Sequence, residues 1–174
     1  MWYIVQVAAG SEAHMKETLE RFLQKSRGAS QVKEVFFPLY ESSYKKGGVR
    51  RTVTRVLFPG YLFLDVEQDD IRQRLKGITE FHHLLMTGEA CIPVRREEQT
   101  FLVEHTDSGH VMRMSRGYMV GREVIITEGA LASYRGELKY VDRHNQYGVM
   151  AVRLGEREVD MRFGLEIVRK VEST

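Results

Sequence analysis

Between Glu41 and Asp65 the chain carries Lys45, Lys46, Arg50, Arg51 and Arg55 and no acidic residue. A cation run of that kind is either a solvated loop or an arm that touches a phosphate backbone. It leads into Arg55 to Val66, which reads RVLFPGYLFLDV. These β-branched, aromatic and leucine side chains prefer strand, yet Pro59 and Gly60 sit in their middle. Proline has no N–H for a ladder and glycine gives nothing to a core, so a strand must bulge or bend there. A bend would turn Phe58 and Tyr61 toward one concave surface, and such aromatics often dominate interfaces. The chemistry on offer is binding.

Bond-making chemistry finds less support. His82-His83 could serve a metal, but neighbours on a strand point to opposite faces and cannot readily chelate one ion. Cys91 is the single cysteine. With no base near it in sequence it reads as a buried, inert thiol. Ser42 and Ser43 fall in a hairpin rather than a nucleophile elbow. The glycines near Gly47 precede no helix, so no phosphate-cradling loop is expected. No catalytic residue, metal or cofactor is expected, and an active site would have to be assembled in space.

The elements that must position these residues are legible from periodicity. Trp2 to Val7 is an apolar strand. Gly10 and Ser11 open a helix, with Ser11 as cap and Glu12 at the positive end of its dipole. Met15, Leu19, Phe22 and Leu23 form its apolar stripe. Glu34 to Tyr44 and Arg51 to Val66 read as strands joined through Lys45-Lys46-Gly47-Gly48, a long hairpin. Asp69 or Asp70 would cap a second helix with Ile71, Leu75 and Ile78 inward and Arg72, Gln73 and Arg74 on or near its outer side. His82 to Met86 reads as a short strand and Arg95 to His105 as a third helix. The order is that of an α+β domain. Asp107 to Gly117 is polar and aperiodic, a linker or a linker ending in a short strand. Beyond it, Glu123 to Thr127, Glu137 to Val141, Val149 to Leu154, Glu158 to Phe163 and Glu166 to Val168 are short β runs, as in a small antiparallel barrel. The expected division is residues 1–106, a linker at 107–117, and 118–174.

At 174 residues, with 43% hydrophobic and 29% charged residues, the totals are those of a globular protein of one or two domains. The net charge of +2 decides nothing by itself. No apolar run approaches the ~20 residues of a spanning helix. The start, MWYIVQVAAG, has no basic n-region. A cytoplasmic monomer without a membrane partner is expected.

Trp2-Tyr3, Gly10-Ser11-Glu12, Phe58-Pro59-Gly60-Tyr61 and Pro93 occur in the order seen in one family. Together they resemble the N-terminal (NGN) domain of the NusG-type transcription elongation and antitermination factors. Gly121 to Asp142 (GREVIITEGALASYRGELKYVD) resembles that family's KOW motif through Val124, Ile126, Gly129, Gly136 and Val141. The likeness covers nearly the whole length. Asp142-Arg143-His144 followed by Gly164 to Val168 resembles the LoaP branch, whose members are antiterminators, while Val124 to Ala130 is close to RfaH. The resemblance implies an NGN-like α+β domain with an antiparallel sheet, followed by a small all-β five-stranded KOW barrel.

It also implies roles. Phe58 and Tyr61, with Phe63 and Tyr3, would meet the clamp helices of RNA polymerase. Arg72 and Arg74 lie where the family contacts the opposite side of the cleft, and would meet DNA or an acidic polymerase loop. The hairpin with Lys45, Lys46, Arg50 and Arg51 would lie near upstream or nontemplate DNA. For a nascent RNA hairpin the second half offers Arg113, Arg116, Arg122, Lys139, Arg143, His144, Arg153, Arg157 and Arg162, arginine being suited to phosphates and guanine edges. Glu137, Asp142, Glu156, Glu158 and Asp160 interrupt this set, so an RNA surface would be one face only. The alternatives are a general NusG-like elongation factor whose KOW domain binds a ribosomal protein or Rho, and an RNA-binding adaptor without antipausing activity.

Overall fold

The computed structural model describes residues 1–25, 32–67, 75 and 91–171. The expected second helix with Arg72, Gln73 and Arg74, and the expected strand at His82 to Met86, lie outside the described residues, Leu75 excepted. The chain divides into two compact units, residues 1–37 with 58–99 and residues 38–57 with 100–174.

In the first unit, strands β1 (Trp2–Gln6), β2 (Val32–Phe36), β5 (Tyr61–Val66) and β6 (Cys91–Pro93) form one sheet in the order β2-β5-β1-β6, every pair antiparallel. The strands β3 (Leu39–Lys46) and β4 (Val49–Val56) between them belong to the second unit. Helix α1 (Glu12–Lys25) covers one face. Its stripe of Met15, Leu19 and Leu23 packs on Tyr3, Val5, Leu62 and Leu64. The other face carries an aromatic cluster, with Phe36 stacked on Phe63 at 5.4 Å and Trp2 edge-on to Phe36 at 5.0 Å. Side chains of this size stabilise by about 1.5–3 kcal/mol each when fully buried. β6 is a strand that periodicity misses, being three residues long and ending in Pro93. As an edge strand beside β1 it tolerates that proline.

Pro59 and Gly60 do not bend one continuous strand. β4 (Val49–Val56) stops before them, β5 starts after them, and the two belong to different sheets. Pro38 does the same on the opposite side, separating β2 from β3 (Leu39–Lys46), and its carbonyl accepts the Leu57 N–H at 2.8 Å. Prolines lacking a ladder donor stand where the chain leaves the first sheet for β3 and where it returns from β4 to β5.

In the second unit β3 and β4 pair from Leu39↔Val56 to Lys46↔Val49 around Gly47-Gly48, as the spacing predicts. The short strand β7 (Val111–Met112) runs parallel to β3 at Leu39 and Tyr40. A five-stranded sheet has the order β10-β11-β12-β8-β9. Its members are β8 (Ser115–Val120), β9 (Glu123–Glu128), β10 (Tyr140–Asp142), β11 (Tyr147–Leu154) and β12 (Arg157–Val171). The stretch read as a linker thus holds β7 and the start of β8. Asp107 organises the preceding turn, its Oδ1 accepting the N–H groups of Gly109 and Val111.

β12 absorbs two runs expected to be separate, because Gly164 is not a turn. A Cβ there would collide with the Glu41 carbonyl and the Met114 sulfur, so glycine lets β12 pass close against β3. Helix α2 (Arg96–His105) ends with buried His105, whose Nδ1 lies 2.7 Å from the Ala130 carbonyl oxygen.

Candidate protein and nucleic-acid binding surfaces

The Leu57–Tyr61 segment is held from within the first unit by Glu12. Its carboxylate accepts the Gly60 N–H at 2.7 Å and the Gly10 N–H at 2.9 Å, although the side chain is nearly fully buried. Burial alone would push this carboxyl up, but the N–H groups of Gly60, Glu12 and Gly10 together hold it below its ordinary value. Ser11 starts α1 with its carbonyl, which accepts the Met15 N–H at 2.9 Å, while its hydroxyl turns back to the Ala8 carbonyl at 2.6 Å. Gly60 adopts φ +88°, a left-handed conformation that suits glycine, and the Val7 N–H reaches its carbonyl at 2.9 Å. The bend is a built feature.

The side chains expected to meet polymerase are distributed unevenly around it. Phe58 is 3% exposed, Phe63 is fully buried, and the two rings lie 6.1 Å apart in the aromatic cluster. Tyr3 is buried on the opposite, α1-covered face, so the sheet does not bring it together with Phe58 and Phe63. Tyr61 is half-buried and Pro59 exposed, leaving these two as the accessible part of the bend. Arg72 and Arg74 lie outside the described residues.

Ion pairing sorts the cations expected to meet nucleic acid. Arg113 bridges Asp107 and Glu41, reaching the latter at 2.9 Å, and Glu41 also accepts the Met114 N–H at 2.8 Å. Burial would push the Glu41 carboxyl up, but the Met114 N–H and Arg113 outweigh it and hold it low. Arg116 pairs with Glu166 at 2.9 Å and Glu128 at 3.8 Å, and Lys139 with Asp160 at 2.5 Å. These three cations are neutralised locally. Lys45, Lys46, Arg51, Arg122, Arg143, Arg153 and Arg157 are exposed and have no ion-pair partner among the described residues.

Arg50 and Arg162 do something that sequence spacing does not reveal. Arg50 donates from Nη1 to Ser43 Oγ at 3.1 Å and from Nη2 to the His144 carbonyl at 3.3 Å, joining the hairpin to the β10–β11 turn. Arg162 lies 4.0 Å over the Tyr147 ring and hydrogen-bonds the Tyr40 phenol. Tyr140 and Tyr147 sit 6.0 Å apart on the same sheet face, as the pairs Tyr140↔Val149 and Asp142↔Tyr147 require. Reading the period-2 register across β10 and β11 is the one signal that could have found this tyrosine pair. On the other side of the sheet order, an open groove of about 810 Å³ runs between β9 and β10, lined by Val124, Ile125, Leu138 and Val141 with Arg122 and Lys139. Among the described residues no cluster of His, Cys, Asp and Glu is placed to hold a metal, and no helix is long and apolar enough to cross a membrane.

A sequence model of the family described as "Transcription termination factor nusG" matches residues 1–102. The chain belongs to the NusG family. It is similar to the "Transcription termination/antitermination protein NusG" of Haemophilus influenzae, at 28% identity over 168 residues that cover 94% of this chain and 91% of that protein. The NusG of Halalkalibacterium halodurans is 21% identical, with 98% of each chain covered. A solved structure described as "Domain interaction in Thermotoga maritima NusG" shares the fold, with a TM-score of 0.52 at 19% identity, over 94% of this chain and 92% of that one. The family is that of the NusG-like transcription termination/antitermination factors, which are not enzymes.

Proposed function

We propose that this NusG-family protein is a processive antitermination factor of the kind found in the LoaP branch. Residues 1–106 dock on the clamp helices of RNA polymerase. Residues 118–174, beyond the segment 107–117, hold a nascent RNA hairpin. The basic hairpin around Lys45 and Arg51 lies near upstream or nontemplate DNA, where its phosphate contacts are weakened by salt. No catalytic step is needed: a factor that binds the active polymerase more tightly than the paused one shifts the population by that difference.

The observation that carries this reading is the Leu57–Tyr61 bend, pinned by Glu12 and presenting Pro59 and Tyr61 at the surface within the residues matched by the family. Tyr61 is the anchor, while Phe58 and Phe63 are buried. Titration of purified bacterial core RNA polymerase with labelled protein tests it. Tyr61→Ala is expected to weaken binding by at least about tenfold, as for an interface anchor. An unchanged affinity would remove the bend from the interface.

One observation favours a protein partner for the second unit. The groove between β9 and β10, the two edge strands of its sheet, offers unpaired backbone and apolar side chains to an extended segment.

A further inference from the structure

We propose that the β3–β4 hairpin and the β10–β11 turn form one continuous surface for a single strand of RNA, rather than two surfaces with separate ligands. This rests on the reading that the protein binds RNA, and replaces the DNA contact of the β3–β4 hairpin with a share in the RNA site.

Proximity is the first support. The Arg50–His144 hydrogen bond places the Arg143–Asn145 turn against the hairpin within one compact unit. Arg50 makes this link through a hydroxyl and a carbonyl, both neutral acceptors, and has no ion-pair partner among the described residues. Charge is the second support. Lys45, Lys46 and Arg51 on the hairpin and Arg143 on the turn are exposed and have no ion-pair partner among the described residues. The nearest acid in sequence, Asp142, is partly exposed and accepts the Asn145 backbone N–H and side-chain amide at 2.8 Å each. A surface with exposed cations on both sides of a seam suits a ligand with charge repeated along its length.

The third support distinguishes a single strand from a duplex. Tyr140 is 53% exposed and stands beside Tyr147 at the base of the turn. An exposed phenol ring can stack an unpaired base, whereas a duplex keeps its base faces covered. Phosphates along the hairpin and turn with a base on Tyr140 are contacts one strand can make together.

The test uses the full-length protein and a fluorescein-labelled single-stranded RNA of mixed sequence, about 12 nucleotides long. Fluorescence anisotropy is measured at several salt concentrations. The variants are Lys45→Gln/Lys46→Gln/Arg51→Gln on the hairpin, Arg143→Gln on the turn, and Tyr140→Ala, with circular dichroism confirming the fold. Both charge variants are expected to weaken binding to the same RNA. The plot of log affinity against log salt should become shallower by about two for the triple variant and about 0.7 for Arg143→Gln. Tyr140→Ala should lose about tenfold in affinity with its salt slope unchanged. If the triple variant keeps wild-type affinity and slope while Arg143→Gln weakens, the surfaces are separate; the inference fails and the RNA reading stands. If the wild-type protein binds a labelled RNA hairpin but not the strand, the inference fails and the RNA-hairpin reading stands; if it binds neither, the RNA reading itself fails. Tighter binding to a DNA duplex of the same length would also overturn the proposal, by making DNA the ligand.

Discussion

At the scale of single residues, Glu12 does the most for the site without being part of the surface. Its three backbone hydrogen bonds lower its carboxyl despite burial, so the folded protein binds that proton less tightly than the unfolded chain does. The stability it contributes is therefore complete above the ordinary glutamate value of about 4.3 and is lost as pH falls through the lower folded value. Glu12→Gln keeps the shape and removes the charge. At neutral pH it is expected to cost about 1–3 kcal/mol in urea unfolding, and to flatten stability against pH in that acidic window. A variant as stable as the parent, with the same acid dependence, would show that Glu12 does not hold the bend. Phe58 behaves differently. Sequence alone suggests an exposed anchor, but at 3% exposure against Phe63 its removal leaves a cavity. Phe58→Ala is expected to cost about 3–5 kcal/mol in the same assay, which makes Tyr61→Ala the cleaner probe of binding.

At the scale of elements, β4 and β5, which the sequence reads as one strand, should differ in rigidity. Every β4 residue from Val49 to Arg55 is exposed, whereas Leu62, Phe63 and Leu64 of β5 are fully buried. Amide hydrogen exchange is expected to be faster in β4 than in β5, because opening β4 exposes little apolar surface; equal protection would contradict this. Gly164→Ala should destabilise by about 1–3 kcal/mol by thermal unfolding, since a backbone carbonyl cannot yield to the added methyl. These elements also mark where sequence reasoning ends. The Met15–Leu19–Leu23 stripe and the Gly47-Gly48 pair are local patterns: the stripe packs as its spacing predicts and the glycines make the turn, while Lys45 and Lys46, expected in the turn, are paired within β3. The Arg55–Val66 run reads as one strand because residue preference carries strand tendency but not sheet membership. Gly164 looks like a turn until β3 is beside it. The contacts of Arg162 with Tyr40 and Tyr147, and of Arg50 with His144, join residues far apart in the chain, which no periodicity encodes.

At the scale of the whole molecule, each unit carries one kind of surface. The first presents the Glu12-pinned bend, and the second presents cations that local carboxylates leave uncompensated. A polymerase contact needs the former, and a transcript contact needs the latter. The central claim is that the bend couples this protein to RNA polymerase and thereby suppresses termination. Single-round transcription through an intrinsic terminator, with purified bacterial RNA polymerase, tests it most directly. More readthrough is expected with the wild-type protein than without it, and loss of that gain with Tyr61→Ala. No gain with the wild-type protein, or an equal gain with Tyr61→Ala, would contradict it.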